Sequence, residues 1–342
     1  MANIYVGMSG GVDSSLTAAL LVEAGHTVTG VYMKNWTQDM PGMRCPWADD
    51  LADAKRVAVH LGIDFKVFDF EKDYKQKVVD YMINEYEAGR TPNPDIMCNQ
   101  EIKFKLFLES ALEDGADFVA TGHYARVKNG VLQQAQDTNK DQTYFLYRVT
   151  EKALKKTLFP LGDLTKPEVR HMAEERGLST AAKKDSVGIC FVGQVGMREF
   201  LSQYVTTAPG DIIDTRSKAV VGRHDGAIFY TLGQRHGLDV GGGMPLYVVG
   251  KNMAKNEVYV SSNLNDQSLW QQQLTLTEIH GINGPLKDGT YMARVRHRAP
   301  LTKCILEGSI LSFSNPERAA TPGQSVVLYQ GNVCAGGGII AS

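Results

Sequence analysis

The sequence predicts an α/β protein in which a doubly wound parallel sheet is followed by two small β-rich domains. Over about the first 120 residues, short apolar strands alternate with amphipathic helices, which is typical of a parallel sheet covered on both faces. From about Gly210 onward, turn signals separate short runs rich in β-branched and aromatic residues, as in small β domains or barrels. The 342 residues suffice for two or three domains, which we expect at residues 1–195, 196–262 and 263–342.

Composition and charge limit the classes of protein to which this chain can belong. A hydrophobic content of 43% and a charged content of 22% are typical of a soluble globular protein. The formal net charge of −2 gives no global attraction to nucleic acid, so RNA binding would need local basic patches. No run approaches the roughly 20 apolar residues of a membrane span, and the N-terminus lacks a signal-peptide pattern. We therefore expect a cytoplasmic protein without a membrane partner.

The N-terminal elements follow from apolar periodicity and from helix end signals. A strand at residues 4–6 enters a Gly/Ser loop, and the helix after it, residues 16–23, ends before Gly25, which suits the left-handed position after a helix. A capping box from Thr165 to Glu168 starts a later helix. The other predicted strands are 27–33, 64–70 and 118–121, and the other predicted helices are 49–61, 74–86 and 101–112.

The C-terminal elements are short strands between glycine-containing turns. The spacing of the turn signals favours strands over helices throughout this region. The predicted strands are 227–231, 247–249, 258–261, 291–295, 305–313 and 325–329.

The loop after the first strand is a predicted phosphate-binding site. Its glycines let backbone N–H groups approach an anion, its serines add hydroxyl donors, and the following helix adds its dipole. Neither GxxxxGK[ST] nor GxGxxG fits the loop. Because ligands of such sheets lie beyond the carboxyl ends of the strands, residues after three strands are expected to converge on one nucleotide. These residues are Gly7, Met8, Ser9, Gly10, Gly11, Val12, Asp13, Ser14, Met33 and Gly122.

Two cysteines are candidates for catalysis. Cys98 ends a proline-stiffened loop, residues 90–99, at the start of a helix, where the helix dipole favours a thiolate. Cys98 could equally be a small buried hydrophobe, and Asp95 only a turn former. Cys190 has apolar neighbours, which favour a core position. Cys45, Cys304 and Cys334 look inert, and the five cysteines show no zinc-ligand spacing, so no metal site is expected.

Three arginines recur at every second position near the C-terminus. Arg294, Arg296 and Arg298 would share one face of a strand at steps of about 6.8 Å. Such a ladder could contact successive phosphates of an RNA stem, although a solvated β face would show the same pattern.

Seven motifs, in order along the whole chain, resemble the tRNA-specific 2-thiouridylase (MnmA) family of PP-loop ATP pyrophosphatases. They are SGGVDSS (9–15), TPNPDIMCN (91–99), ATGHYAR (120–126), KDQTYFLY (140–147), DSVGICFVG (185–193), GRHDGAIFYTLGQRHGL (222–238) and TPGQSVVLYQG (321–331). The resemblance implies a PP-loop ATPase domain, a central β domain and a C-terminal β-barrel that contacts tRNA. It also implies that ATP, with Mg²⁺, binds the loop and adenylates O2 of the wobble uridine in tRNAs of the Glu, Gln and Lys types.

The resemblance assigns further roles. Cys190 would carry a persulfide sulfur from a cysteine desulfurase or a sulfur-relay protein, and Cys98 would free that sulfur through a transient disulfide. Asp95 would act as acid or base, and Asn93, Pro94 and Asp95 would meet the target base, flipped from its stack. Asp95 stands where some relatives carry an extra cysteine, and Val187 replaces a common threonine. The implied tRNA contacts are His123, Lys140, Asp141, Gln142, His297, Arg298 and Gln324.

Two other functions stay open from the residues alone. One is an adenylating ligase or amidotransferase with the same loop, similar to argininosuccinate synthase or lysidine synthase, which would use a nitrogen nucleophile and need no cysteine pair. The other is an RNA- or nucleotide-binding module without catalysis, which the combination of Asp13, Asp95 and both thiols disfavours. We also expect residues 179–193 to order over the site when tRNA binds.

Overall fold

The structure is a computed structural model that describes residues 1–39, 45–184, 196–238, 240–241 and 245–341. The strands in its N-terminal half are β1 (Asn3–Gly7), β2 (Thr27–Lys34), β3 (Asp64–Asp69), β4 (Phe118–Thr121), β5 (Arg126–Lys128), β6 (Val131–Gln133) and β7 (Thr157–Leu158). The strands in its C-terminal half are β8 (Gly210–Asp214), β9 (Val220–His224), β10 (Tyr247–Asn252), β11 (Glu257–Ser261), β12 (Trp270–Gly281), β13 (Gly289–Arg294), β14 (Thr302–Glu307), β15 (Ile310–Arg318), β16 (Ser325–Gln330) and β17 (Val333–Ile340).

The α-helices are α1 (Val12–Glu23), α2 (Trp47–Leu61), α3 (Glu71–Tyr74), α4 (Asp80–Glu87), α5 (Pro94–Met97), α6 (Leu108–Glu113), α7 (Thr143–Leu146), α8 (Glu151–Leu154), α9 (Lys166–Glu175) and α10 (Met197–Leu201). A π-helical segment, Lys75–Val79, joins α3 to α4, and a second one, Cys98–Phe107, joins α5 to α6. Within the described part of the chain, no helix is long and apolar enough to cross a membrane.

The N-terminal sheet has five parallel strands in the order β3-β2-β1-β4-β7, which confirms the predicted parallel sheet. Its central strand β1 is almost wholly buried, as expected for a short apolar run covered on both faces. The strand order runs from β1 through β2 to β3 in one direction and reaches β4 in the other. The reversal places a switch point at the carboxyl end of β1, where ligands of such sheets bind.

The helix ends largely follow their sequence signals, with one correction. Gly25 and Gly62, after α1 and α2, have φ of +81° and +65°, the left-handed conformation that glycine tolerates. Residues 94–99, predicted as part of a loop, are helical, because Pro94 stands in the first turn, where a missing N–H costs nothing. Cys98 therefore lies one turn inside a helix rather than at the end of a loop.

The central region forms a four-stranded sheet in the order β10-β11-β8-β9. The predicted strand at 227–231 is wrong: Ala227–Phe229 is a 3₁₀ turn, whose first N–H donates to Asn256 Oδ1 at 2.9 Å. The run is apolar because Ala227 and Ile228 are buried, and a short apolar run fits a buried turn as well as a strand.

The C-terminal region is a barrel in which β12, β15, β14, β13, β16 and β17 pair in turn, and β12 also pairs with β17. The predicted strand 305–313 is two strands, β14 and β15, because the chain turns at Gly308, whose φ is +58°. The hairpin of β5 and β6 extends the barrel's sheet by pairing with β17 at Gln133 and Val333. A hairpin from the N-terminal half is therefore part of the barrel's sheet.

The largest hydrophobic core spans the N-terminal region and the barrel. It contains Tyr144 and Tyr147 together with Val327, Tyr329 and Cys334 of the barrel, all fully buried. The Tyr144 hydroxyl donates to the Ser325 carbonyl at 2.8 Å, so polar contacts reinforce the apolar ones. The barrel is therefore fixed against the domain that carries the phosphate-binding loop.

Candidate nucleotide and thiol site

The loop between β1 and α1 is held in one conformation by its own side chains. Ser14 and Ser15 donate to the Gly11 carbonyl at 3.1 and 2.8 Å, and the Ser9 N–H donates to Ser14 Oγ at 3.2 Å. Gly10 has a φ of +74°, and a Cβ on it would lie 2.3 Å from the Asp50 carbonyl oxygen. No other residue fits there. The loop is thus preformed at the switch point of the sheet.

The strand ends converge on this loop as the sequence predicts. A Cβ on Gly122, just after β4, would lie 2.7 Å from the Asp13 carbonyl carbon and 2.8 Å from the Ser14 nitrogen. A Cβ on Gly7 would lie 2.9 Å from Cε of Met33, near the end of β2. Glycine therefore permits close approach at two of the predicted nucleotide-binding positions.

Two lysines that the sequence analysis missed also reach the loop. Lys166, at the start of α9, places its Nζ 2.7 and 2.8 Å from the two carboxylate oxygens of Asp13, and the Tyr124 hydroxyl donates to the same carboxylate at 2.8 Å. The Thr165 capping signal did locate the start of that helix. Its contact with a residue 153 positions earlier left no local signal.

Lys183 binds the loop from the other side. Its Nζ donates to the Gly10 carbonyl at 3.0 Å and to the carboxylates of Asp50 and Asp53 at 2.7 and 2.6 Å. Burial lowers the pKa of Lys183, but the hydrogen bonds to the two carboxylates outweigh burial and raise the pKa overall. A charged lysine is therefore held against the phosphate-binding loop.

The helix that begins at Pro94 carries two predicted catalytic residues. Asn93 precedes it in an extended conformation, with φ −117° and ψ 95°. Burial raises the pKa of Asp95, and the positive charge of Lys103 partly offsets that rise. Cys98 is buried, with 5% of its surface exposed. A carboxyl with a raised pKa and a buried cysteine thus lie on consecutive turns of one helix.

The same helix packs against the nucleotide loop. The ring of Phe104 lies 5.6 Å from that of His123, which follows Gly122. A Cβ on Gly7 would lie 3.5 Å from the ring of Phe107. Cys98 stands six residues before Phe104 on the same π-helical segment. One rigid element therefore connects the Cys98 region to the end of β1.

The second predicted thiol, Cys190, lies outside the described residues, as do Val187 and the part of segment 179–193 from residue 185 onward. Three other cysteines behave as the sequence suggests. Burial raises the pKa of Cys45, raises that of Cys304 to about 12, and raises that of Cys334 further. A buried thiol that resists ionisation is a poor nucleophile.

His123, a predicted tRNA contact, is buried. Its Nδ1 lies 2.7 Å from Thr121 Oγ1, and the residue is 7% exposed. Burial, and after it the charge of Lys103, lowers the pKa of His123, so the ring is neutral. In this conformation the ring packs inside, between Phe104 and Phe159, and the RNA contact of His123 stays a prediction.

Asp141 is likewise buried, with 2% of its surface exposed. It accepts hydrogen bonds from Thr143 Oγ1 at 2.8 Å and from Arg294 Nη1 at 3.2 Å. The Arg294 guanidinium also lies 5.5 Å from the Tyr329 ring centre. These two residues, both predicted to contact tRNA, bind each other and join the N-terminal region to the barrel.

Two glutamines among the predicted tRNA contacts bind the backbone. Gln142 accepts from the Tyr124 N–H at 2.9 Å, and Gln324 donates to the Thr91 carbonyl at 2.9 Å. Lys140, which directly precedes Asp141, is half-buried. The amides of both glutamines thus serve the protein's own structure.

The predicted arginine ladder is wrong. Strand β13 ends at Arg294, and the chain then turns, with the Ala299 N–H donating to the Arg296 carbonyl and Arg298 at φ +64°. Arg296 and Arg298 are exposed on this turn. His297 between them packs 4.5 Å from the Phe145 ring, and burial followed by the Arg298 and Arg294 charges lowers its pKa to about 4. Arg296 donates to the Arg318 carbonyl, and Arg298 Nε donates to the Asn139 carbonyl at 3.1 Å. Each guanidinium has further N–H groups that could bind an anion.

The chain matches three families in order along its length. They are the tRNA methyl transferase HUP domain over residues 2–194, the tRNA methyl transferase PRC-barrel domain over 198–262 and the aminomethyltransferase beta-barrel domain over 271–340. Among solved structures, a 4-thiouridine synthetase–RNA complex with bound ATP matches at 17% identity and a TM-score of 0.39, over 59% of this chain and 50% of that one. That likeness is too distant to inform the site.

Curated relatives named tRNA-specific 2-thiouridylase MnmA are similar over nearly the whole chain. The Methylobacillus flagellatus protein is 48% identical over 99% of this chain and 98% of its own length. The Halalkalibacterium halodurans protein is 48% identical over 98% and 94%, and the Neisseria meningitidis protein is 49% identical over 100% and 96%. With the fold, the phosphate-binding loop and this identity in agreement, the chain belongs to the tRNA-specific 2-thiouridylase family of enzymes.

Proposed function

We propose that this protein forms 2-thiouridine in tRNA, using ATP to activate the base and cysteine thiols to deliver sulfur. The observation that carries the proposal is the packing of one helix, which bears Asp95 and Cys98, against the strand ends that flank a preformed phosphate-binding loop. This arrangement suits a reaction in which a nucleotide and a thiol act on one base. The names of the relatives supply the substrate class.

In the first step, ATP with Mg²⁺ transfers its adenylyl group to O2 of the wobble uracil and releases pyrophosphate. The residues from Gly7 to Ser14 supply backbone N–H groups and hydroxyls for phosphate, and the N-terminus of α1 adds its dipole. Lys166 and Lys183 hold the same loop in place through the Asp13 carboxylate and the Gly10 carbonyl. Adenylation makes the carbonyl oxygen part of a leaving group, AMP. Unmodified uracil has no leaving group at C2.

In the second step, sulfur replaces that oxygen. A sulfur donor leaves a persulfide on Cys190, Cys98 attacks the Cys190 sulfur to form a disulfide, and the freed hydrosulfide attacks C2 as AMP departs. A thiol reductant then returns both cysteines to the reduced state. Asp95 acts as acid or base in this step, since its raised pKa brings its titration closer to neutral pH.

The barrel and the catalytic helix together hold the tRNA. Asn93, Pro94 and Asp95 meet the flipped uridine, and the exposed Arg296 and Arg298 bind phosphates with salt-dependent affinity. A cysteine desulfurase or a relay protein donates the sulfur, and the reaction takes place in the cytoplasm.

Separate Cys98→Ser and Cys190→Ser variants test the sulfur mechanism. With ATP, Mg²⁺, unmodified tRNA and a desulfurase plus cysteine as donor, each variant is expected to lose more than about 100-fold in 2-thiouridine formation, measured by nucleoside mass spectrometry. Pyrophosphate release should persist in both, because neither thiol is needed for adenylation.

Cys304→Ser is the matched control, since Cys304 is buried in the barrel with a pKa of about 12, and it should thiolate normally. Full thiolation by either catalytic-cysteine variant would favour the nitrogen-nucleophile alternative. Conversion of ATP to ADP and orthophosphate would exclude adenylation altogether.

A further inference from the structure

Thr91, three residues before the helix with Asp95 and Cys98, is held by a loop of the barrel. The Thr91 N–H donates to the Pro322 carbonyl at 2.9 Å, and the Gln324 side-chain amide donates to the Thr91 carbonyl at 2.9 Å. Both main-chain polar groups of one residue are therefore bonded to a segment more than 230 positions later. We call Pro322, Gly323 and Gln324 the barrel clamp.

The barrel clamp is itself rigidly anchored. The Gly323 N–H donates to the Ile340 carbonyl at 2.9 Å, and the Ile340 N–H donates back to the Gln324 carbonyl at 2.9 Å. Gly323 has a φ of +90°, and a Cβ on it would lie only 2.8 Å from the Thr91 nitrogen. The clamp thus fits against Thr91 because position 323 is glycine, and it cannot shift without disturbing the last strand of the barrel.

Thr91 is also held from the other side. Its Oγ1 lies 3.2 Å from Oγ1 of Thr231, in the central region, and the residue is 7% exposed. The preceding residue, Arg90, forms two hydrogen bonds with the Glu85 carboxylate at the end of α4. Barrel, central region and catalytic domain therefore meet at one buried residue.

The segment from Thr91 to the helix is stiff enough to transmit this position. Pro92 and Pro94 each have a fixed φ, and each restricts the residue before it to extended conformations. Asn93 is extended, with φ −117° and ψ 95°. A displacement of Thr91 would consequently move the start of the helix, and with it Asp95, rather than being absorbed by a flexible loop.

We propose that the barrel clamp, together with Thr231, positions the helix bearing Asp95 and Cys98 for reaction. Gln324 is then a positioning residue, whose amide holds the Thr91 carbonyl. The expected effect on turnover rests on the proposed thiolation, whereas the positioning of the helix does not.

The test compares Gln324→Met and Thr231→Val with Thr231→Ser, which keeps the hydroxyl, and with Gln273→Met, an exposed glutamine of the same barrel. The first readout is amide hydrogen exchange of the peptide covering residues 94–100, without tRNA. The second is the single-turnover rate of 2-thiouridine formation at saturating ATP and tRNA. The third is the tRNA dissociation constant, measured by filter binding.

For Gln324→Met and Thr231→Val, we expect exchange of residues 94–100 to rise at least about fivefold and the single-turnover rate to fall about tenfold. The tRNA dissociation constant should change less than twofold, and Thr231→Ser and Gln273→Met should match the wild type.

Unchanged exchange in Gln324→Met, or a loss of tRNA affinity at an unchanged rate, would overturn the positioning role. Should the wild type form no 2-thiouridine while exchange still responds, the proposed function fails and the clamp stands.

Discussion

Asp95 illustrates how neighbours set the chemistry of a single residue. Burial raises the pKa of this carboxyl, and the charge of Lys103 on the same helix lowers it. Lys103 also lowers the pKa of His123, so one lysine acts on groups at both ends of the proposed site. Removing the Lys103 charge should therefore raise the pKa of both groups.

We predict that Lys103→Met moves the inflection that Asp95 contributes to the pH–rate profile to higher pH. Without the nearby positive charge the carboxylate form of Asp95 is less stable, so its already raised pKa rises further. Single-turnover thiolation across a pH series, at saturating substrates, measures the inflection.

Lys105→Met is the matched control, because Lys105 bonds to Glu101 on the same helix and leaves the Asp95 environment intact. Its inflection should coincide with that of the wild type. An unmoved or lowered inflection in Lys103→Met would show that Asp95 is not the titrating group.

At the residue scale, the sequence identifies residues whose type alone indicates their role. It does not identify residues whose role depends on partners far away along the chain. Glycine at positions 10 and 122 could be predicted, because only glycine allows such close approach. Lys166 and Lys183 could not, since their partners lie 153 and 130 or more positions away. Nor could the burial of His123, which depends on rings from two distant elements.

At the scale of elements, the contact between the end of β4 and the start of α1 determines the shape of the phosphate-binding loop. We predict that Gly122→Ala destabilises the protein by about 1–3 kcal/mol, as overpacking does. The new Cβ would meet backbone atoms of Asp13 and Ser14 at 2.7 and 2.8 Å, so the loop must shift. The ATP dissociation constant should rise about tenfold, or about 1.4 kcal/mol. Urea unfolding and calorimetric titration measure the two effects.

Gly241→Ala is the control for this substitution, because a Cβ there would have no atom of the described residues within 4 Å. Its stability and ATP affinity should match the wild type. Equal ATP binding by Gly122→Ala and the wild type would contradict the role given to this contact.

The predicted elements were right where periodicity and end signals agreed, as for β1, β2 and α2. They were wrong where one local sequence pattern is compatible with two different structures. Two prolines suggested a loop, yet Pro94 fits the first turn of a helix. Alternating arginines suggested a strand face, yet β13 ends at Arg294 and the chain turns.

For the whole molecule, the ion pair of Asp141 and Arg294 connects the N-terminal region to the barrel, and its side chains are 1% and 12% exposed. We predict that Asp141→Asn costs about 3–5 kcal/mol of unfolding free energy, because it leaves a buried guanidinium without its counter-charge. The double variant Asp141→Asn/Arg294→Met should cost less than the sum of the single variants, since the two groups are coupled. Urea unfolding measures all three.

Asp114→Asn offers the comparison, because Asp114 pairs with Lys66 on the surface, where both side chains are about 40% exposed. Its cost should be much smaller than that of Asp141→Asn, because an exposed ion pair is screened by solvent. Additive costs for the buried pair would indicate that Asp141 and Arg294 stabilise the protein independently.

The parallel sheet and the β-rich C-terminal half could be predicted, because each depends on local patterns of strands, helices and turns. The shared core of Tyr144, Val327 and Tyr329 could not, since it depends on which apolar faces meet after the chain has folded. The barrel clamp was missed for the same reason.

The pairing of β6 with β17 has a consequence for synthesis of the chain. Val333 is made 200 residues after Gln133, its partner across the two strands. At translation rates of about 5–20 residues per second, that separation corresponds to about 10–40 s. Throughout this interval the nascent polypeptide carries a β edge whose partner has not yet been translated, and such edges are prone to pairing with other chains.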